Sequence, residues 1–200
     1  MTIHWVSLAI VVALLGFPAP LSREVNRRLG NPTRGPAVRL TRMTGLLVNW
    51  VDLLRGMVGG LLLEHLAVEA NPQVAGAAQR ALLVQGAVLI ACLLPQVIRF
   101  RKEFIFLAPV FYLGGITLAL PPWDAGLAAL VVGCGFALAT KTVGCLLPVT
   151  SVVLAIYGYF LDGLNLSVIL TSGLLFLPVI VSLMFLKDLR YVSAKANWSS

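Results

Sequence analysis

Charge is scarce in this chain. Of 200 residues, 8 are acidic and 15 basic, 12% in all, while 59% are hydrophobic, and the mean hydropathy is +0.94. A soluble domain of this length needs a charged exterior, so the scarcity excludes one and assigns the chain to lipid. Histidine is nearly absent: the two copies are His4 and His65. No second His or carboxylate stands at metal-ligand spacing, and no metal or other cofactor is expected. The three cysteines, Cys92, Cys134 and Cys145, lie inside apolar runs without paired spacing. That excludes a zinc or redox motif and makes them packing or lipid-facing residues. The first apolar run, Trp5 to Leu21, lacks both a basic leader and an Ala-x-Ala cleavage site, so it reads as a retained helix.

What the chain has in abundance is apolar runs of roughly 17 to 23 residues, the length that crosses a bilayer at about 1.5 Å per residue. Seven runs bounded by charge, Pro and Gly fall at 5 to 21, 45 to 67, 81 to 98, 104 to 121, 125 to 140, 143 to 161 and 164 to 186. The expected fold is therefore all-α: one integral membrane domain over 1 to 200, a polytopic bundle of about seven transmembrane helices. Connections between the last four runs are so short that those helices must be hairpin neighbours. The fifth and sixth are the weakest of the seven.

The basic residues give an independent check, because Lys and Arg accumulate in cytoplasmic loops. Arg23, Arg27, Arg28, Arg34, Arg39 and Arg42 fall in the first connection, and Arg99, Arg101 and Lys102 in the third. Lys141 falls in the fifth, and Lys187, Arg190 and Lys195 in the tail. Thirteen of the fifteen basic residues thus share one face, with the N-terminus outside and the C-terminus in the cytoplasm. A multi-pass protein of the inner (plasma) membrane is expected. Its cationic face would attract anionic headgroups or phosphorylated solutes.

Inside the second run, Asp52 and Arg55 stand three apart, share a helix face and can pair, with Asn49 and Trp50 close by. Charges at membrane depth are costly and turn to the bundle interior, so both are site candidates as well as packing candidates. Gly56, Gly59, Gly60, Gly114, Gly115, Gly133 and Gly135 supply small residues for close helix approach. Pro95, Pro109, Pro148 and Pro178 mark kinks. The first connection carries Gly30-Asn31-Pro32 and Gly35-Pro36 turn signals among its arginines, a pattern that suits phosphate through exposed amides and guanidinium forks.

This segment resembles the PlsY-type acyl-phosphate:glycerol-3-phosphate acyltransferases, seven-span bacterial membrane proteins. Gly30 and Asn31 match the Gly-Asn of their first motif, and Arg39 matches the Arg that follows. Asp52, Arg55 and Gly56 match Asp-x-x-Lys-Gly with Arg for Lys. The resemblance implies transfer of an acyl chain from acyl-phosphate to glycerol-3-phosphate in phospholipid synthesis. Leu29 stands where the family has a motif serine, Arg101 to Phe104 holds no glycine loop, and Lys187 to Arg190 lacks the family's His and Asn. A non-catalytic member that binds lipid, or a subunit of a membrane complex or homo-oligomer, is the alternative, and a small-solute transporter a third. The expected binding set is Gly30, Asn31, Arg34, Arg39, Asp52, Arg55, Arg101 and Lys102, with Arg34, Arg39, Arg55, Arg101 and Lys102 converging on one anion. Catalytic residues are unassigned, membrane lipids and a phosphorylated small molecule are the partners, and no nucleic acid is expected.

Overall fold

A computed structural model of the chain describes residues 2–16, 44, 47–69, 76–100, 104–162, 165–185 and 189–190. Seven α-helices make up its body: α1 (Trp5–Gly16), α2 (Leu47–Leu62), α3 (Ala77–Val97), α4 (Val110–Ala119), α5 (Trp123–Ala139), α6 (Leu146–Asp162) and α7 (Leu166–Met184). A π-helical turn, Leu63–Ala67, extends α2. Two of these helices, α3 and α7, are long and apolar enough to cross a membrane.

Helix limits follow local chemistry. Gly76, at φ 73, starts α3, which begins ahead of the expected residue 81 because Ala77, Ala78 and Gln79 are good helix formers. Asn165 caps α7, its side chain accepting from the Ser167 amide at 3.2 Å. At the end of α5 the amides of Lys141 and Thr142 donate back to the carbonyls of Leu138 and Ala137. That pairing is a Schellman closure, and it holds Lys141 at φ 57, where glycine is usual.

Two expectations need correction here. The fourth run was to be helical from 104, but Phe104–Leu107 is extended and α4 begins only at Val110. Pro109 is the cause: it lacks an N–H, and its ring disfavours helical backbone in the residue before it. Nor is Pro148 a kink. It sits in the first turn of α6, where a helical amide has no partner to lose. Five strand segments of two to four residues accompany the all-α body. β1 (Thr2–Ile3) pairs antiparallel with β2 (Val68–Glu69). β4 (Phe104–Leu107) lies between antiparallel β3 (Ile98–Phe100) and parallel β5 (Leu189–Arg190). One pairing thus ties the N-terminus to the segment after α2, and the other ties the α3–α4 connection to the segment after α7.

The most extensive packing is α2 on α4, then α5 on α6 and α6 on α7, so each short connection does join packed neighbours. Buried on nearly every side, α4 forms the centre, with Tyr112, Leu113 and Ile116 almost wholly enclosed. Glycine makes the α2–α4 approach possible. A Cβ at Gly56 would run into the Tyr112 carbonyl, and one at Gly115 into the Leu53 carbonyl and, at 2.7 Å, the Met57 amide. Gly60 faces the Ala119 Cβ, Gly59 faces Leu15 and Gly133 faces Thr150, whereas Gly114 has ordinary contacts and Gly135 open space.

Candidate functional site

Three helix ends meet the middle of α2 around Arg55. α2 carries Asp52 and Arg55 on one face, the last turns of α1 and α3 contribute the Leu15 carbonyl and Gln96, and the first turn of α4 contributes Tyr112. The 3.6-residue period that puts positions 52 and 55 together turns them toward these neighbours. Their side chains are 29% and 10% exposed respectively, so the sequence-derived inward orientation of this pair holds.

Burial of a guanidinium is costly unless its charge is compensated. Arg55 has three compensations: the Asp52 carboxylate at 3.5 Å, the Gln96 amide oxygen accepting at 3.0 Å, and the face of the Tyr112 ring 5.3 Å from its centre. The last is a cation–π contact, worth up to about 2 kcal/mol when water is excluded. Gln96 also donates from Nε2 to the carbonyls of Leu15, at 2.6 Å, and Cys92, at 3.2 Å. Leu15 belongs to the last turn of α1, whose carbonyls have no intrahelical partner, so Gln96 closes that helix end from another helix. A continuous polar chain therefore runs from Asp52 through Arg55 and Gln96 to α1.

The aromatic residues set the spacing. Trp50 donates its indole N–H to the Thr44 carbonyl at 2.8 Å and packs edge-on against Phe111, centroids 5.7 Å apart. This pins the start of α2 to the start of α4. The Gly56 contact just beyond it brings the Arg55 backbone close enough for the side chain to lie over Tyr112.

Of the sequence-derived site, Asp52 and Arg55 are brought together, while Gly30, Asn31, Arg34, Arg39, Arg101 and Lys102 lie outside the described residues. Gln96 and Tyr112 were missed. A polar residue directly after Pro95, in a run whose other polar side chain is Gln85, is the signal for Gln96; Tyr112 has none, because a tyrosine in such a run reads as an interfacial or core residue. Glu64 and His65 lie on the π-turn at the opposite end of α2 from Asn49 and Trp50. Among the described residues, no three His, Cys, Asp or Glu are grouped to hold a metal ion.

No protein-family model, no curated protein and no solved structure matches the chain.

Proposed function

We propose that this is a seven-span protein of the inner membrane, N-terminus outside, that binds a phosphate-bearing lipid or solute at an arginine-rich cytoplasmic mouth. The observation that carries this reading is the cluster around Arg55. It lies where α1 and α3 end and α4 begins, against the middle of α2, and from those ends of α1 and α3 the first connection and Arg101 and Lys102 depart. A compensated cation at the inner end and loop cations at the outer end make a graded positive path for an anion.

Three features support the membrane placement. β5 pairs the tail with the α3–α4 connection, and β1 pairs the N-terminus with the α2–α3 connection, each uniting segments that the positive-inside rule assigns to one side. Exposed Trp5, Trp123, Tyr159 and Phe160 all sit at helix ends assigned to the outer interface, as an aromatic belt requires. Finally, α4 has ten residues and spans about 15 Å, half a bilayer. β4 supplies extended chain before it and is paired on both edges, as non-helical backbone in lipid demands.

Binding is favoured over PlsY-like acyl transfer. The attack of a hydroxyl on an acyl-phosphate gains from a general base, and Asp52, the carboxylate of the cluster, is engaged with Arg55. The test is a titration of the purified chain in detergent with inorganic phosphate, and in nanodiscs with and without phosphatidic acid. Binding should weaken as salt rises. Arg39→Ala should lower affinity by about 1.5 to 3 kcal/mol, the value of a charge-assisted hydrogen bond. Equal affinity for both proteins removes Arg39 from the site, and no binding to either probe refutes the reading.

A further inference from the structure

We infer that the outward face of the three-stranded sheet holds the phosphate of an anionic phospholipid headgroup between Arg99 on β3 and Arg190 on β5. This rests on the membrane placement proposed above and is independent of the Arg55 cluster.

Strand register puts the two arginines together. Residues paired across neighbouring strands share a face, and successive residues of one strand alternate between faces. Arg99 pairs with Ile105, and Arg190 pairs with Leu107, two residues further along β4. Positions 99, 105, 107 and 190 therefore lie on one face. The other face carries Ile98, Phe106 and Leu189 in one row across the three strands. Two inter-strand steps of about 4.8 Å and two residues of about 3.3 Å put the backbones of Arg99 and Arg190 about 12 Å apart, near enough for two long side chains to serve one headgroup.

Two further observations fix the direction and depth of this face. Ile98 packs against the hydrophobic core, and β4 lies against both α3 and α7. The face of position 98 thus turns to the helices, and the face of the arginines turns from them. Helix α3 has 21 residues and α7 has 19, so each is about 30 Å long, the hydrocarbon thickness. β3 continues α3 without a break, and β5 follows the end of α7. The sheet therefore sits at headgroup level, on the side assigned to the cytoplasm.

The composition of the face selects the occupant. Ile105 and Leu107 stand on the middle strand, between the strands that carry the two arginines. A free ion gains nothing from that apolar strip, whereas a phospholipid lays its glycerol and upper acyl carbons on it. The arginine fork matches phosphate, and basic groups at the cytoplasmic leaflet attract its anionic lipids. Charges that serve orientation alone need only the cytoplasmic side, not one face of one sheet.

The full chain is reconstituted in phosphatidylcholine nanodiscs containing phosphatidylglycerol, and the lipids that stay bound on release are counted by native mass spectrometry. Wild type should retain phosphatidylglycerol in preference to phosphatidylcholine. Arg99→Gln and Arg190→Gln should each weaken that retention about tenfold, as loss of one charge-assisted hydrogen bond does. The double variant should lose less than the product of the two, because both arginines serve one headgroup. Lys141→Gln removes an exposed cation assigned to the same side but outside the sheet, and it should leave retention unchanged. No preference in wild type overturns the site, and so do equal losses in all three single variants, since a general surface potential then suffices. Losses that multiply fully assign the arginines to separate lipids and overturn the shared site. Inorganic phosphate titrated in detergent separates the sources: binding lost in both sheet variants, without any phosphatidylglycerol preference, makes the occupant a free ion and overturns the lipid assignment. Should a substitution unfold the chain, wild type with a headgroup-photoreactive phosphatidylglycerol decides alone, because crosslinks must fall on β3, β4 or β5 and crosslinks confined elsewhere overturn the site. Retention insensitive to both sheet variants removes this site and leaves the Arg55 reading standing. The expected retention pattern in a chain that binds neither phosphate nor phosphatidic acid at its mouth leaves this site standing and removes that reading.

Discussion

Replacing Gly56 by alanine adds one carbon where α2 and α4 approach closely. Built on the existing backbone, that carbon lands on the Tyr112 carbonyl oxygen, 3.1 Å from the carbonyl carbon and 3.3 Å from the Ile116 amide nitrogen. All three obstacles are main-chain atoms of α4, so no rotamer change relieves them, and α2 and α4 must separate. Overpacking of this kind costs about 1 to 3 kcal/mol, and a backbone obstacle belongs at the upper end. Alanine recovers about 1 kcal/mol of helix propensity, leaving a net loss of roughly 2 kcal/mol. Gly135 and Gly173 are the controls, since each is helical with nothing within 4 Å of an added Cβ. Alanine at either should be neutral or stabilising by up to about 1 kcal/mol. The assay is reversible unfolding in mixed micelles. Gly56→Ala should fall about 3 kcal/mol below Gly135→Ala. Combining it with Gly115→Ala should cost less than the sum of the two, because one helix displacement makes room for both carbons. If Gly56→Ala and Gly135→Ala are equally stable, the close approach of α2 and α4 is not what sets their spacing.

Gln96→Leu should cost about 3 kcal/mol in the same assay, because it withdraws a partner from the buried Arg55 and from the last-turn carbonyl of α1. Ser151→Ala, which deletes one buried bond to the Ser172 carbonyl, gives the scale of about 1 kcal/mol; a Gln96→Leu loss no larger than this would mean that the polar chain does not join the helices. In a cysteine-free background, an impermeant thiol reagent added outside intact cells should label a cysteine at position 162 and miss one at position 34. The opposite pattern would reverse the proposed orientation.

Hydropathy and charge placement were enough to locate the helices, because both are properties of consecutive residues. Six of the seven apolar runs coincide with a helix to within a few residues wherever the structure describes them. The inward turn of Asp52 and Arg55 was legible too, since a three-residue spacing puts opposite charges on one shared face, where each compensates the burial of the other. The start of α4 was misjudged because hydropathy registers Phe104–Leu107 as apolar without distinguishing strand from helix, and Pro109 in fact interrupts the run.

Tertiary structure alone decided what meets what. Residues 15, 55, 96 and 112 are far apart in the chain, and no local pattern states that Gln96 bonds both Arg55 and the Leu15 carbonyl. The same holds for glycine: seven residues were equivalent candidates for close packing by composition, yet Gly56 and Gly115 face backbone and Gly135 faces open space. The difference is a matter of which neighbour lies across each helix face. The sequence determined where the chain is helical; the packing of α2 on α4 determined which polar groups share one buried site, because only contact between distant segments encloses them.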